Sequence, residues 1–448
     1  MSELLGYAED AVRKAMGIGV DEAEAVVANI VERFAQLQNN AVKQAHSSID
    51  TGLGIRVVTG KRVGFAYTNK LDPDSIAKAV ERAARAAKGS RPDPHWSRLP
   101  EGPQSYPSVE GVYSPSLAGV ELPRIVEIAG SLLDRVTEDR RVVVVWGGAS
   151  VSLWRVAIAN SRGIEAEDQG TVAMVGAEAV AREGTDVTPG VFEEEVSRTS
   201  IPDPEALAER LREKAIDALR PVKISSGSMP VILTHYALEE LFAYTFNQAI
   251  RGDNVVRGRS PYAGRIGEVV ASEALSVVDD GVMPGGVATS RFDGEGVAKR
   301  RTVIVDRGVL RGFVFDSYWG ARAGTGSTGN AARRGYSSTP GVSPSNLVIS
   351  TGDFSEEELV ADTRRGLLVD SLQGAHSSNP ETGEFSVVAA PAWLVERGEL
   401  RAVRGVMLAG SAYELLKRIS GISKKRRQVG TLVTPWIRFE NVRVVSRS

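Results

Sequence analysis

The chain has 448 residues, 42% of them apolar, with 54 Lys and Arg against 56 Asp and Glu. At about 150 residues per core this length suits several domains, and the balanced charge gives no drive toward polyphosphate or an anionic membrane. There is no cysteine, which excludes disulfides, thiolate nucleophiles and every zinc motif that uses sulfur.

Leu4, Leu5, Ala8, Val12 and Ala15 recur at helical spacing and predict a helix over 3–16 that stops near Gly17. This stretch lacks the apolar core of a signal peptide, and no run reaches membrane-spanning length, so a soluble, cytoplasmic protein is expected. From Glu22 to Ala35 and from Gly52 to Tyr67 apolar and β-branched residues dominate, with a hairpin centre in VVTGKRVGF. Asp72-Pro73-Asp74 opens a second helix, with Asp74 as cap and Gly89 as stop. Residues 1–90 therefore read as an α+β unit.

Proline and polar residues make 91–112 a linker. A helix around 122–136, an antiparallel meander turning at Asn160-Ser161-Arg162-Gly163, and a helix from Pro204 to Leu219 predict a middle α+β unit over 113–222. Beyond Ser225 short apolar strands alternate with glycines, and Asp306-Arg307-Gly308 fits a hairpin turn, so 223–448 is expected to be β-rich.

In THYALEELFAYTF, residues 234–246, His235 and Glu239 stand one helical turn apart on a single face, as a metal-binding helix requires. With His376 from GAHSSNPETGEF as third ligand they would make an independent metallohydrolase; the alternative is a structural histidine beside a glutamate. No G-x-S-x-G elbow lies in a strand-to-helix context. GARAGTGSTGNAARRG lacks the lysine and hydroxyl of a phosphate loop and reads as a mobile surface loop, whose arginines could grip a carboxylate or a partner. SKKRRQ is the one dense basic cluster, a solvated surface or, through Lys424 to Arg427, a DNA contact of a topoisomerase-modulating protein.

GRIGEVVASEALSVVDDG, RFDGEGVAKRRTVIVDRGVLRGFVFD, TGSTGNAARRG and SNPETGEFS follow one another in an order and spacing that resemble the TldD/PmbA family, also called TldD/TldE. The likeness spans about 220–448, with a weaker collinear part before it that includes GLGIRVVTGKRVGFAYTN. It implies an α+β fold with an N-terminal unit, a middle unit and a β-rich C-terminal domain. It also implies two kinds of subunit: in the catalytic TldD kind a helix carries H-E-x-x-x-H, and a C-terminal cysteine completes a zinc site.

Laid on that motif, Thr234 takes the place of the first histidine, His235 that of the glutamate and Glu239 that of the second histidine. The cysteine would fall near SGISKKRRQVG, which has none. The resemblance thus implies a TldE/PmbA-type subunit with no catalytic residue and no cofactor of its own. Such a subunit pairs, as a heterodimer or higher oligomer, with a TldD-type subunit that carries zinc and acts on unfolded polypeptides and peptide precursors. A homodimer is the open alternative for the isolated chain, and neither membrane nor nucleic acid is an expected partner. Arg333, Arg334, Asn379 and Thr382 are the expected contacts to substrate or partner.

Overall fold

The computed structural model describes residues 3–446. Helix α1 (Glu3–Gly17) is followed by three antiparallel strands, β1 (Glu22–Gln38), β2 (Ala41–Thr59) and β3 (Arg62–Thr68), and by helix α2 (Pro73–Gly89). Asp72, not Asp74, caps α2: its carboxylate accepts from Ser75 N at 2.9 Å, and Pro73 occupies the first turn, where a missing N–H costs nothing. The apolar stripes of α1 and α2 bury Leu5, Ala8, Val12, Ile76, Val80 and Ala83 against Ala25, Val27, Leu53, Ile55 and Val57. Contact at Gly64 is so close that a Cβ there would lie 2.1 Å from Ala83 O, so the helix rests on bare strand backbone.

After a stretch without helix or strand over 91–112, the helix Leu122–Val136 leads into β4 (Val142–Asn160) and β5 (Glu165–Glu183). β4 pairs with β1 from Glu24↔Asn160 to Gln38↔Trp146, so one seven-stranded sheet runs through the units expected at 1–90 and 113–222. Helices Leu122–Val136 and Pro204–Asp217 cover the far end of the face that α1 and α2 cover, over Ala35, Leu37, Val151 and Val175. The opposite face of the sheet, with Val26, Ala28, Val156 and Ile158, is left to the C-terminal domain.

That domain holds a nine-stranded sheet in which the strands Gly227–Leu233 and Arg365–Val369 run parallel at the centre. A second sheet of six strands contains Val277–Asp280, Arg301–Asp306 and Leu347–Ile349, with the expected hairpin turn at Arg307 and Gly308. Between the sheets lies the helix His235–Tyr244, whose Ala237, Leu238, Leu241 and Phe242 are buried with Val231, Leu367 and Phe439. No helix among the described residues is long and apolar enough to cross a membrane.

The glycine-rich segment differs from the mobile loop its composition suggests. Asn330 is buried and donates to Asp279 at 2.7 Å, while Ala331 and Ala332 pair with Gly341 and Val342. A buried amide with a charged acceptor fixes the end of the loop.

Candidate functional site

Thr234 ends the strand Gly227–Leu233 and precedes the helix, so it lies at the C-terminal end of the parallel pair. Its hydroxyl donates to Asp370, with O at 3.1 Å and Oδ1 at 3.0 Å. His235 is buried, and its Nδ1 accepts from Trp436 Nε1 at 3.2 Å. That bond requires the ring proton on Nε2, which faces Glu356 Oε1 at 3.8 Å, too far for a hydrogen bond. Burial, reinforced by Arg427, pushes His235 down to about 3, so the ring is neutral near pH 7 and the contact with Glu356 is no ion pair.

Around Tyr236 the pocket is ionic. Lys214, from the helix Pro204–Asp217, pairs with Asp370 at 2.8 Å and with Glu193 of the strand Val191–Ser197. Arg427 comes from the segment in which the resemblance places the cysteine; it pairs with Glu193 at 2.8 Å and donates to Glu194 O at 2.7 Å. The ring of Tyr236 lies 5.1 Å from Lys214 Nζ and 5.3 Å from Arg427 Cζ, within cation–π range of both. Burial drives Glu193 upward, yet the two cations hold it below the ordinary glutamate value. These groups border a cavity of about 480 Å³ that His235, Glu356 and Trp393 also line.

Zinc does not fit this donor set. Thr234 and the accepting nitrogen of His235 are already committed, and two cations flank the helix where a dication would need anionic or neutral donors. Among the described residues no group of three His, Asp or Glu side chains is placed to hold a metal ion. The His235, Glu239 and His376 set is not assembled. His235 packs on Trp436 at one end of the helix, while exposed His376 packs on Tyr244 at the other, nine residue steps or about 13 Å away. Burial, then Glu194, pushes Glu239 above its ordinary value.

The other expected contacts are scattered. Arg333 is not a free contact residue: its side chain is 6% exposed and pairs with Glu24, while donating to Gly294 O at 2.6 Å and Ser338 O at 2.7 Å. Arg334 is exposed. Asn379 and Thr382 are exposed but serve a turn, Asn379 Oδ1 accepting from Glu381 N at 2.9 Å and Thr382 Oγ1 from Glu384 N at 3.3 Å. In the basic cluster Lys424, Lys425 and Arg426 are exposed, whereas Arg427 turns inward to Glu193.

Glu240, next to Glu239, accepts from Ser371 Oγ at 2.9 Å and from Leu372 N, and burial pushes it up to about 7. In the unfolded chain it ionises near 4.5. Below that pH it is neutral in both states; as pH rises through 4.5 to 7 the fold is progressively penalised for retaining the proton. Glu240→Gln is therefore expected to stabilise the protein by about 2–3 kcal/mol at pH 8 and to change little at pH 4, read from urea unfolding at the two pH values. Equal effects at both would contradict this assignment.

Three family models match the chain: PmbA/TldA metallopeptidase domain 1 over 23–87, the central domain over 115–219 and the C-terminal domain over 226–446. The crystal structure of TldE from Thermococcus kodakarensis superposes with a TM-score of 0.93 at 33% identity, covering 98% of this chain and 100% of that one. An uncharacterized protein of Methanocaldococcus jannaschii is 28% identical over 424 residues, 94% of this chain and 95% of its own length. The metalloprotease PmbA of Escherichia coli O157:H7 is 25% identical over 441 residues, 95% of this chain and 94% of its own.

Proposed function

The chain belongs to the TldD/PmbA family of metallopeptidases, and from that premise we propose that it is the non-catalytic, TldE-type partner of a TldD-type zinc subunit. The observation that carries this reading is the chemistry at the motif positions. Thr234 and Glu239 stand where the resemblance places histidines, no cysteine exists, and Lys214 and Arg427 flank the helix. A site with neither thiolate nor paired imidazoles cannot lower the pKa of a metal-bound water in the manner of the zinc subunit.

In this role the chain supplies walls and contacts while its partner supplies the hydrolytic ion. Unfolded polypeptides and peptide precursors are the substrates of the pair. Strand β2 supports such a role: residues 41–50 are exposed, pair only with β1 and carry no proline, so their outer edge is open to an extended chain.

The test is proteolysis of an unfolded protein by the purified chain, by a TldD-type subunit and by their mixture. Zinc-dependent cleavage is expected from the mixture, with none from this chain alone and less from the zinc subunit alone. Cleavage by this chain alone, or a mixture no more active than the zinc subunit, would overturn the proposal.

A further inference from the structure

Strand β2 is covered along only part of its outer edge. β3 pairs with it from Leu53↔Thr68 onward, and the turn at Asn39 and Asn40 closes its other end. Between these limits no strand among the described residues pairs with the outer edge of 41–50, and all ten of these residues are exposed. Folded proteins ordinarily shorten or cover an edge of this length, because its free N–H and C=O groups template a further strand.

Two large apolar side chains stand on that edge, Ile49 at 71% and Val42 at 40% exposure. Counted along β1, His46 opposes Phe34, Ile49 opposes Val31 and Val42 opposes Leu37, because a bulge at Lys43 takes up one residue of β2. Ile49 and Val42 therefore lie three pairing positions to either side of His46. Both share the face of Val31 and Leu37, the face on which the helices pack.

That spacing is self-complementary. In an antiparallel pair of β2 strands with its twofold axis through His46, Val42 of each copy faces Ile49 of the other, Ala45 faces Ser47 and Gln44 faces Ser48. The paired stretch then runs from Ala41 to Asp50, the exposed residues themselves, and stops short of β3. An axis through Ser47 would instead set Ile49 against Ala45 and Val42 against Thr51, leaving both large side chains without an apolar partner of their size. Charge favours the antiparallel sense as well. Lys43 comes within two pairing positions of Asp50 of the other copy, whereas parallel pairing in register sets lysine on lysine and aspartate on aspartate.

We propose that the open edge of β2 docks a second copy of this chain, antiparallel about His46, so that one sheet runs through both subunits. In the isolated protein the edge offered above to an extended chain is filled by β2 of the other copy. The inference goes beyond the proposed function and does not rest on it, being measured with neither zinc subunit nor substrate present. An active mixture beside a monomeric isolated chain would refute only the docking edge; an inactive mixture beside a dimer would refute only the partner role.

The experiment is light scattering on the intact chain over a series of concentrations, with Val42→Glu, Ile49→Lys and the double variant. One strand pair makes an interface below the standard size, so a dimer is expected at about 100 μM that dissociates on dilution. Each single variant should raise the dissociation constant at least about tenfold, since it breaks an apolar pair on both sides of the axis. The double variant sets a carboxylate against an ammonium and should recover the dimer. Should a variant fail to fold, hydrogen exchange on the unaltered chain decides: amides of 41–50 should exchange more slowly at about 100 μM than at about 1 μM. A monomer at the higher concentration, a dimer indifferent to both single variants, no recovery in the double variant, or exchange independent of concentration would overturn the assignment.

Discussion

Arg56→Met is expected to lower the free energy of unfolding by about 3–5 kcal/mol, the usual consequence of removing one partner from a buried ion pair. Arg56 lies on β2 and donates through Nη2 to Glu24 Oε2 at 2.8 Å and to Glu295 Oε1 at 2.9 Å. Both carboxylates are 1% exposed. Glu24 belongs to β1, Glu295 to the C-terminal domain, and Arg333 closes the network by pairing with Glu24 from the C-terminal side. Burial opposes the charge on Arg56, but Glu24 and Glu295 together raise its pKa further above the ordinary arginine value. Methionine fills much of the space while leaving Glu295 with only the N–H and hydroxyl of Ser317. Urea unfolding at pH 7 reads the loss directly, and a change below about 1 kcal/mol would show that the network contributes little to holding the sheet against the C-terminal domain.

Lys214→Met should cost roughly 2–3 kcal/mol, less than Arg56→Met because Glu193 keeps Arg427 and Asp370 keeps the hydroxyl of Thr234. Its signature is in the pH dependence. Glu193 has a lowered folded pKa, so its contribution is present above about 4.5, the ordinary glutamate value, and is lost as pH falls through the folded value. Burial pulls Lys214 down, but Asp370 and Glu193 outweigh it and raise its pKa, so its contribution is present below about 10.5 and is lost as pH rises through the folded value. The deficit of the variant is therefore expected to be full between these limits and to shrink at pH 3. A deficit independent of pH would mean that packing, not charge, is what Lys214 supplies.

The local elements were legible wherever periodicity was strong. The stripe of α1, the stop of α2 at Gly89, the turn at Asn160 to Gly163 and the hairpin at Asp306 to Gly308 all stand where spacing and turn chemistry put them, whereas the cap of α2 falls on Asp72, two residues before the expected Asp74. Long-range pairing was not legible, because nothing in β1 specifies β4 as its neighbour across more than a hundred residues. The same limit hid the role of Arg333: its partner Glu24 is 309 residues away in sequence, and an arginine in a glycine-rich stretch looks exposed until the sheet is assembled.

At the motif helix the missing ligands could be read from Thr234, Glu239 and the absence of cysteine, but what replaces them could not. One signal was available. Leu207, Leu211, Lys214 and Ala215 follow one another at the spacing of a single helical face, so a lysine falls on the buried stripe of its helix. A cation there needs a buried anion, and Glu193 and Asp370 provide it. Nothing in FEEE singles out Glu193 from its neighbours. Arg427 sits in a basic run whose other members face solvent, so its inward turn had no local sign.

Zinc content is the most direct measure of the central claim that this chain has lost its family's metal centre. The isolated protein, equilibrated with zinc near pH 7 and desalted, is predicted to retain far less than one ion per chain. One equivalent of zinc that disappears in His235→Ala would contradict it.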